Sequence, residues 1–260
     1  MKINLLYFIF FIINLFFLEQ NNAQKMSLAT AEAFFEKLTF VQNGATLPYR
    51  VLKPENIVAG KTYPLVIFLH GAGERGEDNS LQLTHALDLF LNPANRAKFP
   101  CFVLVPQCPN DKKWVDLDWT KTSHKQPETS ETMQLLLNLI ADFQQDKRVN
   151  NQKIYALGLS MGGFGVWDLL YRNPSFAAAG LICGGGDASV SEKIACPVWI
   201  FHGAKDKLVP VENGRMLAQK LKKIQPKTIY TEYATVGHGA WIPALQEKNL
   251  LNWLFSHSKI

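Results

Sequence analysis

Gly158-Leu159-Ser160-Met161-Gly162-Gly163 is the stretch on which the reading of this chain turns. Before it runs Lys153-Ile154-Tyr155-Ala156-Leu157, β-branched and aromatic, which reads as a buried strand. After it, Phe164-Gly165-Val166-Trp167-Asp168-Leu169-Leu170-Tyr171 places apolar residues at helical spacing. G-x-S-x-G between a strand and a helix is a sharp turn that lifts the serine hydroxyl clear of a sheet, at the positive end of a helix. Such a turn forces the serine into an unfavourable backbone conformation. Glycines at 158, 162 and 163 let strand and helix approach with no Cβ in the way. The five-residue pattern alone is common. Its setting separates it from a plain tight turn that happens to contain serine.

Working outward, Val198-Trp199-Ile200-Phe201-His202-Gly203-Ala204-Lys205-Asp206 is an apolar strand running into a Gly/Asp turn, and Pro210 suits the first turn of the helix that follows. An aspartate just past a strand end lies on the rim where parallel sheets keep their sites. Thr228 to Tyr233 reads as a further strand, and Val236-Gly237-His238-Gly239-Ala240-Trp241 opens the last helix. Upstream, Pro64-Leu65-Val66-Ile67-Phe68-Leu69 is a buried strand that ends in His70-Gly71-Ala72-Gly73-Glu74-Arg75-Gly76. A glycine-rich turn there offers backbone N–H groups to the same rim. Asp187, after Gly184-Gly185-Gly186, is a rival to Asp206, whose Gly-x-x-Asp context with Val-Pro is the better match.

Ser160, Asp206 and His238 follow the Ser…Asp…His order of α/β-hydrolases, not the chymotrypsin or subtilisin order. The chain resembles the secreted carboxylesterases of that superfamily. It is similar to single-domain esterases related to polyhydroxybutyrate depolymerases, feruloyl esterases and the catalytic domain of prolyl oligopeptidase. The residues that carry the likeness are HGAGERG at 70–76, Pro106-Gln107-Cys108-Pro109, the GLSMGG turn, Gly184-Gly185-Gly186-Asp187, HGAKD at 202–206 and the late His238. They cover nearly all of the chain beyond residue 34.

The resemblance implies a serine hydrolase acting on a small-molecule or polymer-borne ester, with no cofactor and no metal. Ser160 is the expected nucleophile, His238 the base and Asp206 the acid that orients it. The oxyanion hole is expected from the N–H groups of Met161 and Ala72, with Gly73 as the other choice for the second donor. Two readings compete: a serine peptidase of prolyl-oligopeptidase type using the same triad, and a binding protein on a hydrolase scaffold, which would typically have lost a triad member.

Length and composition agree. At 260 residues, 47% hydrophobic and 12% aromatic, the chain has the material for one α/β domain. Asn43-Gly44 between two strand patterns, 36–41 and 47–54, predicts an opening antiparallel hairpin. Parallel strands follow near 64–70, 101–106, 153–159, 178–183, 197–202 and 227–234, with helices clearest at 128–146, 161–172, 211–224 and 241–255. Alternating β and α implies a mostly parallel sheet covered by helices on both faces. The connection from Gly184 to Pro197 leaves no room for a large cap, so an open site is expected.

Net charge is +5, and much of it gathers around one helix in Lys205, Lys207, Arg215, Lys220, Lys222, Lys223 and Lys227. A solvated helix face accounts for that better than an anionic partner, and no nucleic-acid signature accompanies it. Met1-Lys2, the apolar run Ile3 to Leu18 and Asn21-Asn22-Ala23 read as a signal peptide over 1–23. The domain would then occupy 24–260 and be secreted or periplasmic, with no stable membrane insertion after cleavage. The apolar run is short of the about 20 residues of a comfortable span, and an uncleaved anchor is the alternative.

Cys101, Cys108, Cys183 and Cys196 fall at strand ends that the expected strand order keeps apart, so four buried thiols are expected. Trp114 and Trp119, on the loop from Gln107 to Pro127, are candidates for a substrate-binding wall or for anchors of that loop. His70 and His202 each precede a glycine at a strand end and suit turn hydrogen bonding. Glu74 and Arg75 are expected to pair and brace their turn, and His85, His124 and His257 to lie on the surface.

Overall fold

The computed structural model describes residues 28–85 and 87–259, so the expected signal segment lies outside the described residues. One eight-stranded sheet organises the domain. Its strands are β1 (Phe35–Gln42), β2 (Ala45–Leu52), β3 (Tyr63–Leu69), β4 (Phe102–Pro106), β5 (Val149–Leu159), β6 (Ala178–Ile182), β7 (Val198–Gly203) and β8 (Ile229–Tyr233). They lie in the order β1-β2-β4-β3-β5-β6-β7-β8. β1 and β2 form the expected hairpin, with Asn43 at φ 51° and Gly44 at φ 81°, the left-handed pair that a two-residue turn requires. β2 joins β4 antiparallel, and every pairing from β4 to β8 is parallel.

Strand alternation explains the two cores. Leu65, Ile67 and Leu69 of β3 face one side, where they join Met133, Leu136 and Leu139 of α4 (Glu131–Phe143) and Val166 and Leu169 of α5 (Met161–Arg172). Val66 and Phe68 face the other side, with Leu250, Leu251 and Leu254 of α8 (Leu250–Phe255). Both faces being covered, the central strands read as unbroken apolar runs. The remaining helices are α1 (Leu28–Glu32), α2 (Leu87–Leu91), α3 (Pro93–Lys98), α6 (Glu212–Lys222) and α7 (Trp241–Leu245).

Three elements differ from the sequence reading. The helix expected over 241–255 is two short ones, α7 and α8. Ala244 is buried, but the positions three and four further on are Glu247 and Lys248, so a continuous helix would have no apolar stripe there. β5 starts at Val149, which pairs with Tyr63 across a register shift, although Asn150 and Asn151 are poor strand formers. The short helices α2 and α3 add a piece the periodicity did not reveal; Asn92 caps α3 by accepting from the Ala94 and Asn95 N–H groups. All four cysteines are buried and unpaired, and burial pushes the Cys101, Cys108 and Cys196 thiols up to about 12.

Candidate active site

Ser160 sits between β5 and α5 with φ 53° and ψ −120°, a conformation that costs a non-glycine residue of order 1–3 kcal/mol. Close packing enforces it. A Cβ on Gly162 would lie 2.0 Å from the Leu69 carbonyl oxygen, and one on Gly158 would lie 2.3 Å from that of Gly162. The Ser160 N–H donates to the Ile182 carbonyl at 2.9 Å, and its own carbonyl accepts from Gly163 at 2.8 Å. Met161 is the first residue of α5, so its N–H has no acceptor within the helix.

From Ser160 a chain of hydrogen bonds crosses to the loops after β8 and β7. Ser160 Oγ is 2.8 Å from His238 Nε2, and His238 Nδ1 is 2.8 Å from Asp206 Oδ2. A carboxylate only accepts, so Nδ1 carries the ring proton and Nε2 is left to accept from the serine hydroxyl. The Asp206 side chain is fully shielded, and its Oδ1 accepts from the Leu208 and Val209 N–H groups, both at 2.9 Å. Burial opposes ionisation there, yet hydrogen bonds from His202, His238 and the two amides outweigh it and hold the carboxyl well below the usual range. Gly203 fixes the spacing of the two loops, since a Cβ on it would lie 2.1 Å from the Gly237 carbonyl oxygen. Asp187 is engaged elsewhere: its oxygens accept from Ser189 and Gln126 N–H, both at 2.8 Å, capping the 3₁₀ turn Ala188–Lys193.

The glycine-rich turn after β3 forms a single 3₁₀ turn, Ala72–Glu74. At the start of such a turn the Ala72 and Gly73 N–H groups have no acceptor within it. Beneath it lies His70, fully buried, its Nδ1 2.6 Å from the Gly71 carbonyl and its Nε2 accepting from Cys108 N–H at 2.9 Å. Burial pushes its pKa down to about 4, against smaller opposing effects that include the Gly71 carbonyl. Glu74 and Arg75 do not pair as expected. Arg75 Nε donates to the Ala72 carbonyl at 2.9 Å, while Glu74 Oε1 lies 3.3 Å from His85 Nε2. The guanidinium reaches the backbone of its own turn more directly than it could reach the carboxylate beside it.

Residues 55–250 match the family described as Phospholipase/Carboxylesterase. The chain belongs to that family. A thermostable esterase of known structure is 39% identical, with TM-score 0.80 over 87% of this chain. This chain spans 64% of that esterase's length. The acylaminoacyl peptidase of Pyrococcus horikoshii is 16% identical with TM-score 0.64, covering 87% of this chain and 43% of the peptidase. Est1E from Butyrivibrio proteoclasticus is 14% identical with TM-score 0.60, covering 84% of this chain and 98% of Est1E. Those two likenesses concern the fold. No curated protein sequence matches the chain significantly.

In this α/β-hydrolase the serine and histidine open into a cleft of about 320 Å³, walled by the 71–74 turn, His85, Trp119, Leu208 and Trp241. Trp119 lines that cleft, with Lys113 Nζ 4.9 Å from its ring centroid. Trp114 does not. It is fully buried, donates from Nε1 to the His70 carbonyl at 3.1 Å and packs so closely that a Cβ on Gly165 would lie 2.8 Å from its own Cβ. It anchors the loop to the core, away from the cleft lining. His85 departs from expectation the other way, lining the cleft between Glu74 and the Trp241 ring, which in turn packs edge-on against His238 at 5.5 Å. No sequence motif marks His85, because its partners come from the β3 turn and α7. His124, also read as a surface residue, is part-buried and hydrogen-bonded to Asn213 at 2.9 Å. Among the described residues no His, Cys, Asp and Glu side chains are grouped to hold a metal ion.

Proposed function

We propose that this hydrolase cleaves carboxylic esters through an acyl-enzyme, with Ser160 as nucleophile, His238 as general base and then acid, and Asp206 as the group that orients the imidazole. The observation that carries the reading is the unbroken Ser160–His238–Asp206 relay at 2.8 and 2.8 Å, opening into the cleft. Ser160 Oγ attacks the ester carbonyl while its proton passes to His238 Nε2. The carbonyl oxygen becomes an oxyanion, held by the Met161 and Ala72 N–H groups, with the α5 dipole adding to the stabilisation. Collapse expels the alcohol, which takes the proton back from Nε2. Water, activated in the same way, releases the acid and regenerates Ser160.

The thermostable esterase at 39% identity supports ester over amide chemistry. An open cleft with Trp119 and Leu208 on its walls suits bulky or polymer-borne esters. Turnover of a series of p-nitrophenyl acyl esters and of an aminoacyl-proline anilide tests the reading. Wild type is expected to hydrolyse the esters and leave the anilide, with Ser160→Ala lowering ester turnover by about four to six orders of magnitude at unchanged fold. Preference for the anilide would favour a peptidase, and inactivity on both would favour a binding protein.

A further inference from the structure

His202 ends in a position the mechanism above does not use. It precedes Asp206 by one helical turn's spacing (i, i+4), is fully buried, and its Nε2 lies 3.1 Å from the Val209 carbonyl oxygen and 3.4 Å from Asp206 Oδ2. A carbonyl and an ionised carboxylate both only accept, so Nε2 carries the ring proton, hydrogen-bonded to the Val209 carbonyl and with Asp206 Oδ2 as its longer contact. Nδ1 is then a buried acceptor, and it has no partner. Gly214 of α6 closes over it, where a Cβ would lie 2.8 Å from Nδ1. Leaving one ring nitrogen orphaned has a cost, which the contact made by the other nitrogen must outweigh.

We infer that His202 is a positioning residue of the acid, its Nε2–H holding Asp206 Oδ2 in line with His238 and drawing charge from that oxygen. The inference rests on the triad reading above. The two backbone amides on Oδ1 fix how the carboxylate is rotated. What remains adjustable is how much negative charge Oδ2 presents to His238 Nδ1, and two imidazole N–H groups compete for it. With His202 removed, Oδ2 belongs to His238 alone and becomes more basic. His238 then holds its second proton more tightly, and the enzyme loses its base at a higher pH.

The charged and titratable groups around this pair do not replace that donor. Cys183, at the end of β6, is fully buried and its thiol is pushed up by burial, so it stays neutral. Glu232 of β8 is the register partner of His202, but its carboxylate is taken by Arg215 of α6 at 2.6 Å and by the Tyr230 hydroxyl. Lys205 and Lys207, in the same turn as Asp206, are exposed. Across His238 stand Trp241 and the Glu74–His85 pair on the far wall of the cleft.

The test is the pH dependence of kcat and KM on p-nitrophenyl butyrate for His202→Leu and His202→Gln, with thermal unfolding as the check on folding. H202L keeps bulk and loses the donor. It is expected to lower kcat about three- to thirtyfold with KM within about twofold, and to move the acid limb of kcat/KM up by roughly half to one pH unit. H202Q places an amide N–H near the same point and is expected to restore most of both. If H202L does not fold, His202→Asn, too short to reach Oδ2, takes its place with the same expected displacement. An unshifted acid limb in the folded variant, or an H202Q profile as displaced as H202L, overturns the inference. Asp206→Asn separates it from the reading beneath: wild-type turnover in D206N sinks the triad assignment, whereas an inactive D206N beside an unshifted H202L sinks only the role of His202.

Discussion

Residues 70–72 and 202–204 both read His-Gly-Ala, each at the carboxyl end of a parallel strand, with the serine strand β5 lying between β3 and β7 in the sheet. Both histidines are fully buried, and the two rings are protonated on opposite nitrogens. His70 donates from Nδ1 to the adjacent Gly71 carbonyl and accepts at Nε2, so both nitrogens are satisfied by backbone. His202 donates from Nε2 toward Val209 and Asp206 and leaves Nδ1 without a partner. The glycines repeat the contrast. A Cβ on Gly71 would press on Leu159 at 2.9 Å, next to Ser160, and a Cβ on Gly203 on the Gly237 carbonyl at 2.1 Å, next to His238. One tripeptide thus builds a turn whose product is a pair of amides, and the other a turn whose product is an aligned carboxylate. Local sequence sets the turn, and what the turn meets across the cleft sets its use.

The β7 turn should be the more sensitive of the two to loss of a single side chain. Asp206→Ala is expected to lower ester turnover by about two to four orders of magnitude at unchanged fold, because the imidazole remains but is misoriented. Asp187→Ala, which removes a cap of a 3₁₀ turn, should keep most activity. Steady-state rates on one ester decide it, and the reverse ranking would move the acid to the β6 end. The role proposed for the β3 turn is carried by backbone, so its test is a missing N–H. Ala72→Pro sits at the first position of the 3₁₀ turn, after Gly71 in an extended conformation (ψ −177°) that tolerates a following proline. It is expected to lower kcat by about 10²–10³, the usual cost of one oxyanion donor. A change of less than threefold would hand the second donor to Gly73.

The smallest effect concerns stability. His70 has its pKa lowered to about 4 from 6.5, so between those values the unfolded chain binds a proton that the native state refuses. Stability should therefore fall as pH drops from about 6.5 to about 4 and be flat above, by on the order of 3 kcal/mol from this group. Urea unfolding across that window measures it, and His70→Gln should flatten the slope relative to wild type. An identical slope in both would mean that other groups carry the acid sensitivity.

How far the sequence carried the reading differs between these regions for a physical reason. The strands themselves, the hairpin and the serine elbow rest on periodicity and on Asn-Gly and Gly-x-Ser-x-Gly turns, which are local. Asp206 and His238 were legible because each follows a strand pattern at a glycine. Whether Trp114 or Trp119 faces the cleft was not legible, since both are aromatic residues on one loop and only the packing of Trp114 against Gly165 separates them. His85 was missed because its partners, Glu74 and Trp241, come from distant segments. The pairing expected for Glu74 and Arg75 failed because adjacent side chains competed with better partners, the Ala72 carbonyl and His85. The break between α7 and α8 was readable in principle: Glu247 and Lys248 fall where the apolar stripe would have to continue.

The loop from Gln107 to Thr129 is fastened at three points. Trp114 is driven into the core, Lys121 and His124 are held by Asn213 of α6, and Gln126, Pro127 and Thr129 are tied to Asp168 and Arg172 of α5. Between the first two fastenings runs the short arc that carries Trp119 into the cleft. Along the arc, Leu117 and Trp119 rest against Val115, Phe164 and Val209. Exchange of Trp119 is therefore expected to reshape one side of the cleft, while the fastenings and the serine, histidine and aspartate keep their positions. In a lineage or a library, diversity in substrate choice should collect there and leave the scaffold unaltered.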